Sequence, residues 1–388
     1  MNIGYLYNLN IFPPKGGNHV HALELTQGFL NAGHQVCVLD DPTAPGARNF
    51  SSGDSGAIRA FIEAIDVLYV RIDARFLSDW PQAIDCMSLA DDIPVVWEIN
   101  SPANETLAYS WLGGRQAGET ESPIRIARRW VHANRKKFGI FREELLRKSL
   151  ARKVSAAICV SSALGRYAEH GLGIRNAVVM PNGGPLIAEE DIQARRSMRK
   201  DNAFTVFYSG SAIYPWQGID LMSGAITLAR ELAPDIRFVL AVNQRTESLP
   251  SGPNVEIREH LDRQGIIDAV CASDACVALH PDYPWSPYGF HNSPMKLFEY
   301  MACMVPVVTS NRAQMAELIA HRQNGLLCSD APEDILAQLI WLRDHGEEAS
   351  RIGRQGWQDI QTRFSWPHNV DRTLSVFKAS LGADVAYA

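Results

Sequence analysis

No stretch of this 388-residue chain stays apolar for the ~18 residues that a membrane-spanning helix requires. The opening MNIGYLYNLNIF has neither a basic leader nor a small-residue cleavage site, so a cytoplasmic protein is expected. The seven cysteines (Cys37, Cys86, Cys159, Cys271, Cys276, Cys303, Cys328) never fall in C-x-x-C spacing and do not cluster with histidine. That argues against a zinc site or a disulfide framework and for reduced thiols inside apolar runs. With 21% charged residues and a formal net charge of −6, the chain has no overall attraction for nucleic acid. It lacks G-x-G-x-x-G, which removes the dinucleotide-binding fingerprint. It also lacks an Asp-x-Asp pair at a strand end, the usual way to hold magnesium or manganese against a diphosphate, and no metal ligand is assigned.

What is present is an alternation of short apolar runs with amphipathic stretches. NIGYLYNL, QVCVLD, DVLYVRI, IPVVWEI, AAICVS and AVVMPN read as strands, with HALELTQGFLNAG as the first intervening helix. The pattern restarts after the turn-rich PNGGP at 181–185 with FTVFYSG, RFVLAV, ACVALH and PVVTS. Alternation of this kind predicts an α/β protein of two Rossmann-like domains with parallel sheets. The length supports that count, at roughly 100 to 200 residues per domain. The expected domains are 1–185 and 186–365, followed by an amphipathic helix in 366–388. Residues 42–57 and 101–123 read as long loops.

Three segments carry candidate chemistry. In HNSPMKLFEYMACMVPVVTS (291–310), Ser293 is suited to cap a helix, Pro294 to its first position, and the helix is expected to run to about Cys303. The amides and dipole at its start form an anion site, Lys296 adds positive charge, and Glu299 lies on the same face three residues on. A carboxylate there can accept hydrogen bonds from a vicinal diol; the plainer alternative is a surface Lys–Glu pair. In PPKGGNHVHALELTQGFL, Gly16 and Gly17 between the first strand and helix permit close approach of a ligand, or simply a turn. In FYSGSAIYPWQGIDLM, Gly210, Ser211 and Gln217 occupy a loop at a strand's carboxyl end.

Together these segments resemble glycosyltransferase family 4, the retaining nucleotide-sugar transferases of the GT-B fold. The resemblance rests on Gly16-Gly17-x-x-x-His21, AGHQVCV, MPNGG, PWQG and, most specifically, SPMKLFEYMACMVPVVTS. It implies two facing α/β domains, the nucleotide held by the C-terminal one and the acceptor by the N-terminal one, with an interdomain cleft between them. The last helix is expected to cross back to the first domain. Glu299 then stands for the second glutamate of the family motif, binding the ribose hydroxyls. The amides of Asn292, Ser293, Pro294 and Met295 would contact sugar and diphosphate, with Lys296 charging the phosphate site. Two departures stand out: His291 occupies the first glutamate's position, and the family's basic pair falls near Ser211 and Gln217. Compensating charge is then expected from Lys296 and Arg245. The EHLD turn at 259–262 matches the family's base-contacting turn. Asn100 falls where many members have an active-site histidine, and Glu98 shares its strand face. Both are candidates to touch the transferred sugar or the acceptor, with a buried structural acid as the alternative for Glu98.

The co-substrate implied is a UDP- or GDP-linked sugar, without a metal or other cofactor. The acceptor stays open among a glycan, a lipid-linked molecule and a small metabolite. A sugar-nucleotide sensor without turnover is the alternative that the two departures favour. Residues 124–153 hold eleven Lys or Arg against two Glu, a local balance of +9 interleaved with Ile, Trp, Phe and Leu. Such a segment suits peripheral contact with anionic lipid on the inner face of a membrane, or else a solvated helix face packed on the sheet.

Overall fold

The computed structural model describes residues 1–53, 55–107, 123–199, 202–247, 249–283 and 286–382. The chain divides into two compact units. The first comprises Met1–Pro181, Trp285–Ser293 and Trp366–Ala388, and the second Asn182–Pro284 and Pro294–Ser365. The crossing at 181/182 thus lies four residues before the expected 185/186. The return of 285–293 to the first unit was not anticipated, because a short excursion between prolines carries no strand or helix period of its own.

The first unit is a seven-stranded parallel sheet: β1 (Asn2–Leu6), β2 (Gln35–Leu39), β3 (Arg48–Phe50), β4 (Val67–Ile72), β5 (Val95–Ile99), β6 (Val154–Cys159) and β7 (Ala177–Val179). Its order is β3-β2-β1-β4-β5-β6-β7, so the chain winds outward from β1 and then resumes on β1's other side with β4. Ligands of open α/β sheets bind at that reversal, outside the carboxyl ends of the strands. All six residues of β4, VLYVRI, are buried, as a parallel strand covered on both faces requires. Arg71, within this run, therefore needs a partner at the strand's end.

The second unit repeats the plan with six parallel strands: β8 (Thr205–Gly210), β9 (Arg237–Val242), β10 (Val255–Glu259), β11 (Ala275–Ala278), β12 (Val307–Ser310) and β13 (Leu326–Cys328). The order β10-β9-β8-β11-β12-β13 places the reversal between β8 and β11. Val206, Phe238, Leu240, Val277 and Val308 form the centre of its core.

Three short strands escaped the hydrophobic reading. β3, with the exposed sequence RNF, interrupts the loop expected at 42–57. β10 is half-buried and charged, and β13 has only three residues. The loop expected at 101–123 begins with a 3-10 turn at Ala103–Leu107, after which residues 108–122 lie outside the described residues. The side chains of 124–135, the N-terminal part of the +9 segment, also lie outside them.

The final helix, Trp366–Ser380, packs in the first unit against the Gly17–Asn31 helix. Trp366 meets the edge of His21 at 5.1 Å, and Phe377 contacts Phe29 and Tyr69 at 5.7 and 5.0 Å between ring centres. The helices approach closely because Gly28 has no side chain: a Cβ there would stand 2.2 Å from Val370 Cγ2. Gly28→Ala should therefore destabilise the protein by about 1 to 3 kcal/mol through overpacking. In a double-mutant cycle by urea denaturation, Val370→Ala should recover part of that loss, with a coupling of about 1 kcal/mol. Strict additivity of the two changes would show that the helices are not limited by this contact.

Candidate active site

Each unit gathers polar side chains at the carboxyl edge of its sheet, at the reversal of strand order. In the first, Glu98 near the end of β5 is 1% exposed and accepts from four groups. Tyr5 Oη on β1 donates to Oε2 at 2.9 Å, while Arg71 Nη1 on β4 and Asn100 Nδ2 donate to Oε1 at 3.0 and 2.7 Å. His21 Nε2, on the Gly17–Asn31 helix, lies 2.7 Å from Oε1. Arg71 reaches on to Asn18 Oδ1 at 3.4 Å, which ties the start of that helix to the sheet.

Burial alone pushes the Glu98 carboxyl up. The charges of His21 and Arg71, with hydrogen bonds from His21 and Asn100, more than offset this and hold it well below the usual carboxylate range. Burial and the Glu98 charge push the Tyr5 and Tyr69 hydroxyls up, so both remain protonated. A carboxylate so surrounded accepts no further proton near neutral pH. What it does is orient His21, Arg71 and Asn100, of which Asn100 is half-buried and faces the edge of the cluster. Gly16 caps the Gly17–Asn31 helix in extended backbone, and a Cβ there would meet nothing within 4 Å. The two-glycine turn therefore leaves open space beside the helix start.

In the second unit the sequence-predicted residues Gly210, Gln217 and Lys296 come together. Lys296, in the first turn of the Met295–Ala302 helix, donates from Nζ to Gln217 Oε1 at 2.7 Å and lies over the Tyr208 ring at 4.5 Å. A Cβ on Gly210 would stand 2.6 Å from Tyr208 Oη, 2.7 Å from Gln217 Oε1 and 2.9 Å from Lys296 Nζ, so glycine keeps the space these groups fill. Gln217 is placed by its own backbone, whose carbonyl accepts from Tyr208 Oη at 3.0 Å. Gly218 next turns the chain with φ of 73°, and a Cβ there would fall 2.2 Å from Leu279 O. That position admits only glycine. Tyr300 Oη accepts from Ser209 N at 2.7 Å and so fixes the end of β8 to the helix.

Burial pushes the Lys296 ammonium down to about 7, against the opposing pull of Glu299 three residues along. His280, just beyond β11, is pushed down to about 3 by burial and by Lys296, so its ring is neutral. Its Nδ1 lies 3.0 Å from Trp216 O, and its backbone N–H donates to Ser310 Oγ at 3.0 Å.

The remaining predicted residues are placed differently. Pro294, extended at φ −70° and ψ 110°, is the helix cap rather than its first residue, and Ser293 precedes the cap. Proline has no amide hydrogen, so Pro294 cannot supply the amide contact expected of it. Asn292 and Ser293 belong to the first unit and Met295 to the second. His291 is fully buried in the first unit, with its carbonyl accepting from Ser161 Oγ at 2.6 Å and its ring 3.8 Å from Glu105 Oε1. Arg245, the other residue expected to supply charge, is held on Glu259, Nε to Oε1 at 2.7 Å. Ser211 Oγ accepts from Ile213 N at 3.3 Å within its own turn. Arg71, Tyr5, Tyr208, His280 and Tyr300 were missed. Arg71 had a legible signal, a charge inside an otherwise apolar strand; the others read as ordinary core. Among the described residues no group of three or more His, Cys, Asp or Glu is placed to hold a metal ion.

Residues 203–345, most of the second unit, match the family model described as Glycosyl transferases group 1. Spore coat protein SA of Bacillus subtilis (strain 168) is 28% identical over 83 residues, which cover 21% of this chain and 22% of that protein. O-antigen biosynthesis protein RfbC of Myxococcus xanthus is 28% identical over 176 residues, covering 44% of this chain and 13% of that protein. The matches thus span less than a quarter of either relative's own length. Among solved structures, Anabaena Alr3699/HepE in complex with UDP-glucose superposes with a TM-score of 0.65 at 16% identity, covering 97% of this chain and 99% of that one. The fold is GT-B. The group 1 match contains Gly210, Gln217, Lys296 and Glu299.

Removing the Glu98 charge while keeping its shape tests the first cluster. Glu98→Gln leaves the buried Arg71 without its nearest counter-charge and should cost about 3 to 5 kcal/mol in urea denaturation at pH 7. Asn100→Ala, which removes one half-buried donor, should cost about 1 kcal/mol. Because the Glu98 pKa is depressed on folding, its contribution is complete above about pH 4.3 and is lost as pH falls further. The gap between parent and Glu98→Gln should therefore narrow below pH 4. A pH-independent gap would mean that the charge is not what the cluster needs.

Proposed function

We propose that the protein transfers a sugar from a nucleoside-diphosphate sugar to an acceptor hydroxyl, with retention at the anomeric carbon, in the assembly of a glycan or glycoconjugate. The observation that carries this reading is the Lys296 ammonium, set at the start of the Met295–Ala302 helix and turned onto Gln217 at the carboxyl edge of the second sheet. Helix amides and a cation at one point make a diphosphate site. The group 1 match over the same segment supports the reading, as does the UDP-glucose held by the Anabaena neighbour. The name of the Myxococcus relative points to glycan synthesis.

In the proposed step the bond between the anomeric carbon and the diphosphate oxygen breaks. The acceptor oxygen bonds to the same face of that carbon, and its proton passes to the departing diphosphate. Lys296 and the helix amides stabilise the charge that develops there, without a metal, and Glu299 accepts hydrogen bonds from the ribose hydroxyls. UDP-glucose is the first donor to try. A sugar-nucleotide sensor is the competing reading, favoured by the fully buried His291 at the family's first glutamate position. It shares the binding predictions and fails the turnover ones.

Glu299→Ala should weaken UDP-glucose binding by about 1.5 to 3 kcal/mol in calorimetry, the worth of hydrogen bonds to a charged group. Lys296→Ala should slow turnover on the order of 100-fold with a smaller effect on binding. Turnover should persist in EDTA. Binding without sugar transfer to any acceptor or to water would favour the sensor, and activity restored only by manganese would overturn the metal-free step.

The Lys296 shift gives a pH signature. Free, the ammonium loses its proton near pH 7; beside a diphosphate it keeps it to a higher pH. Affinity for UDP-glucose, whose phosphates do not titrate in this range, should be flat below pH 7. It should then fall up to tenfold per unit above pH 7 until the bound-state pKa is passed. Calorimetry at pH 8 in buffers of different ionisation enthalpy should detect proton uptake on binding, and Lys296→Met should abolish it.

A further inference from the structure

Between residues 136 and 150 the Pro123–Leu150 helix buries one side and presents three large apolar side chains on the other. Phe138 is 70% exposed, Phe141 60% and Leu145 52%. At about 100° per residue the three fall within an arc of about 60°. The helix cannot roll to hide them, because its opposite side is tied down. Arg147 is fully buried, donating to Glu143 Oε1 at 3.0 Å and Ser101 O at 2.8 Å, and Glu143 accepts from Ser78 N at 2.8 Å.

The charges around the stripe are of one sign. Lys137 and Lys148 flank it on one edge and Arg142 on the other, all exposed. The carboxylates of this stretch are already engaged: Glu143 is buried against Arg147, and Glu144, half-buried beside the lysine edge, accepts from Tyr167 Oη at 2.7 Å. Every exposed charged residue from 136 to 153 is a cation, although the chain as a whole carries −6. Of these, Lys153 is tied to Asp91 at 2.6 Å. Two copies meeting through this face would bring like charges together. An anionic lipid surface instead supplies phosphates at the depth of the lysines and acyl chains at the depth of the rings. Among the described residues no helix is long and apolar enough to cross a membrane.

We infer that this face docks the protein on anionic bilayers, with Phe138, Phe141 and Leu145 entering the acyl boundary and Lys137, Arg142 and Lys148 pairing with lipid phosphates. The +9 balance of the sequence suggested such contact, and the exposed stripe adds the apolar anchor that charge alone does not provide. The inference does not depend on the glycosyl-transfer reading.

The test floats the full chain with vesicles of phosphatidylcholine alone or with about 30 mol% phosphatidylglycerol. The parent should float with the anionic vesicles and stay behind with the neutral ones, and about 0.5 M salt should release most of it. Phe138→Ala/Phe141→Ala should lower partitioning on the order of 100-fold, about tenfold per ring. Lys137→Glu/Lys148→Glu should abolish it. Neither double variant should move the thermal midpoint, since all four side chains are exposed. Equal floating with both vesicle types, or parental partitioning by the Phe138→Ala/Phe141→Ala variant, would overturn the inference. So would a lipid-independent dimer, seen by sedimentation and abolished in that variant, which would assign the face to a second copy.

Discussion

A charge taken out of water must find its compensation within a few ångströms, and the carboxyl edge of each sheet is arranged around that demand. The two edges meet it in opposite ways. Glu98 is surrounded by more compensation than it needs: four donors converge on it, and it stays ionised near neutral pH. Lys296 has too little, since its closest partner is the neutral Gln217 and its nearest carboxylate is a helical turn away. The first arrangement makes a rigid scaffold for the side chains around it. The second leaves a cation whose charge is completed by an incoming anion, which is the behaviour expected of a binding group rather than a structural one.

Both arrangements follow from topology. A parallel sheet that reverses its strand order opens a gap at the carboxyl ends of the two central strands. Here those strands are β1 and β4 in the first unit and β8 and β11 in the second. Tyr5 and Arg71 flank the first reversal, and Gly210 and His280 the second. Parallel strands are buried along their length, so the polar residues they carry are driven to these ends, where backbone groups and loop side chains can satisfy them.

The sequence made the second site more legible than the first. Lys296, Gln217 and Gly210 lie at a helix start, in a turn and at a strand end whose glycines and prolines have no role in a core, so their types point outward from the local pattern. The two α/β units were readable for the same reason: VLYVRI and RFVLAV are too apolar and too short to be anything but buried strands. What the sequence could not show depends on distance in space. Glu98 looks the same in sequence whether it faces a ligand or Arg71, which lies 27 positions away. The pairing of Arg245 with Glu259 required knowing that β9 and β10 are neighbours in register. β3 was missed because RNF has no apolar run, and β13 because the short LLC is not set off by an apolar run as the equally short β7 is in AVVMPN.

The Trp366–Ser380 helix has a consequence for how the chain is made. Val370, Leu374 and Phe377 belong to the same apolar cluster as Ile3, Tyr5 and Phe29, so that core includes side chains that leave the ribosome long after its strands. Roughly 200 residues separate the end of β7 from that helix, and at about 5 to 20 residues per second they take some 10 to 40 s to translate. Through that interval the inner faces of Tyr69 and Phe29 wait without their last covering. The second unit, whose strands are complete before the helix appears, is free to close first. A nascent chain stalled before Trp366 would therefore expose the aromatic surface that a chaperone recognises.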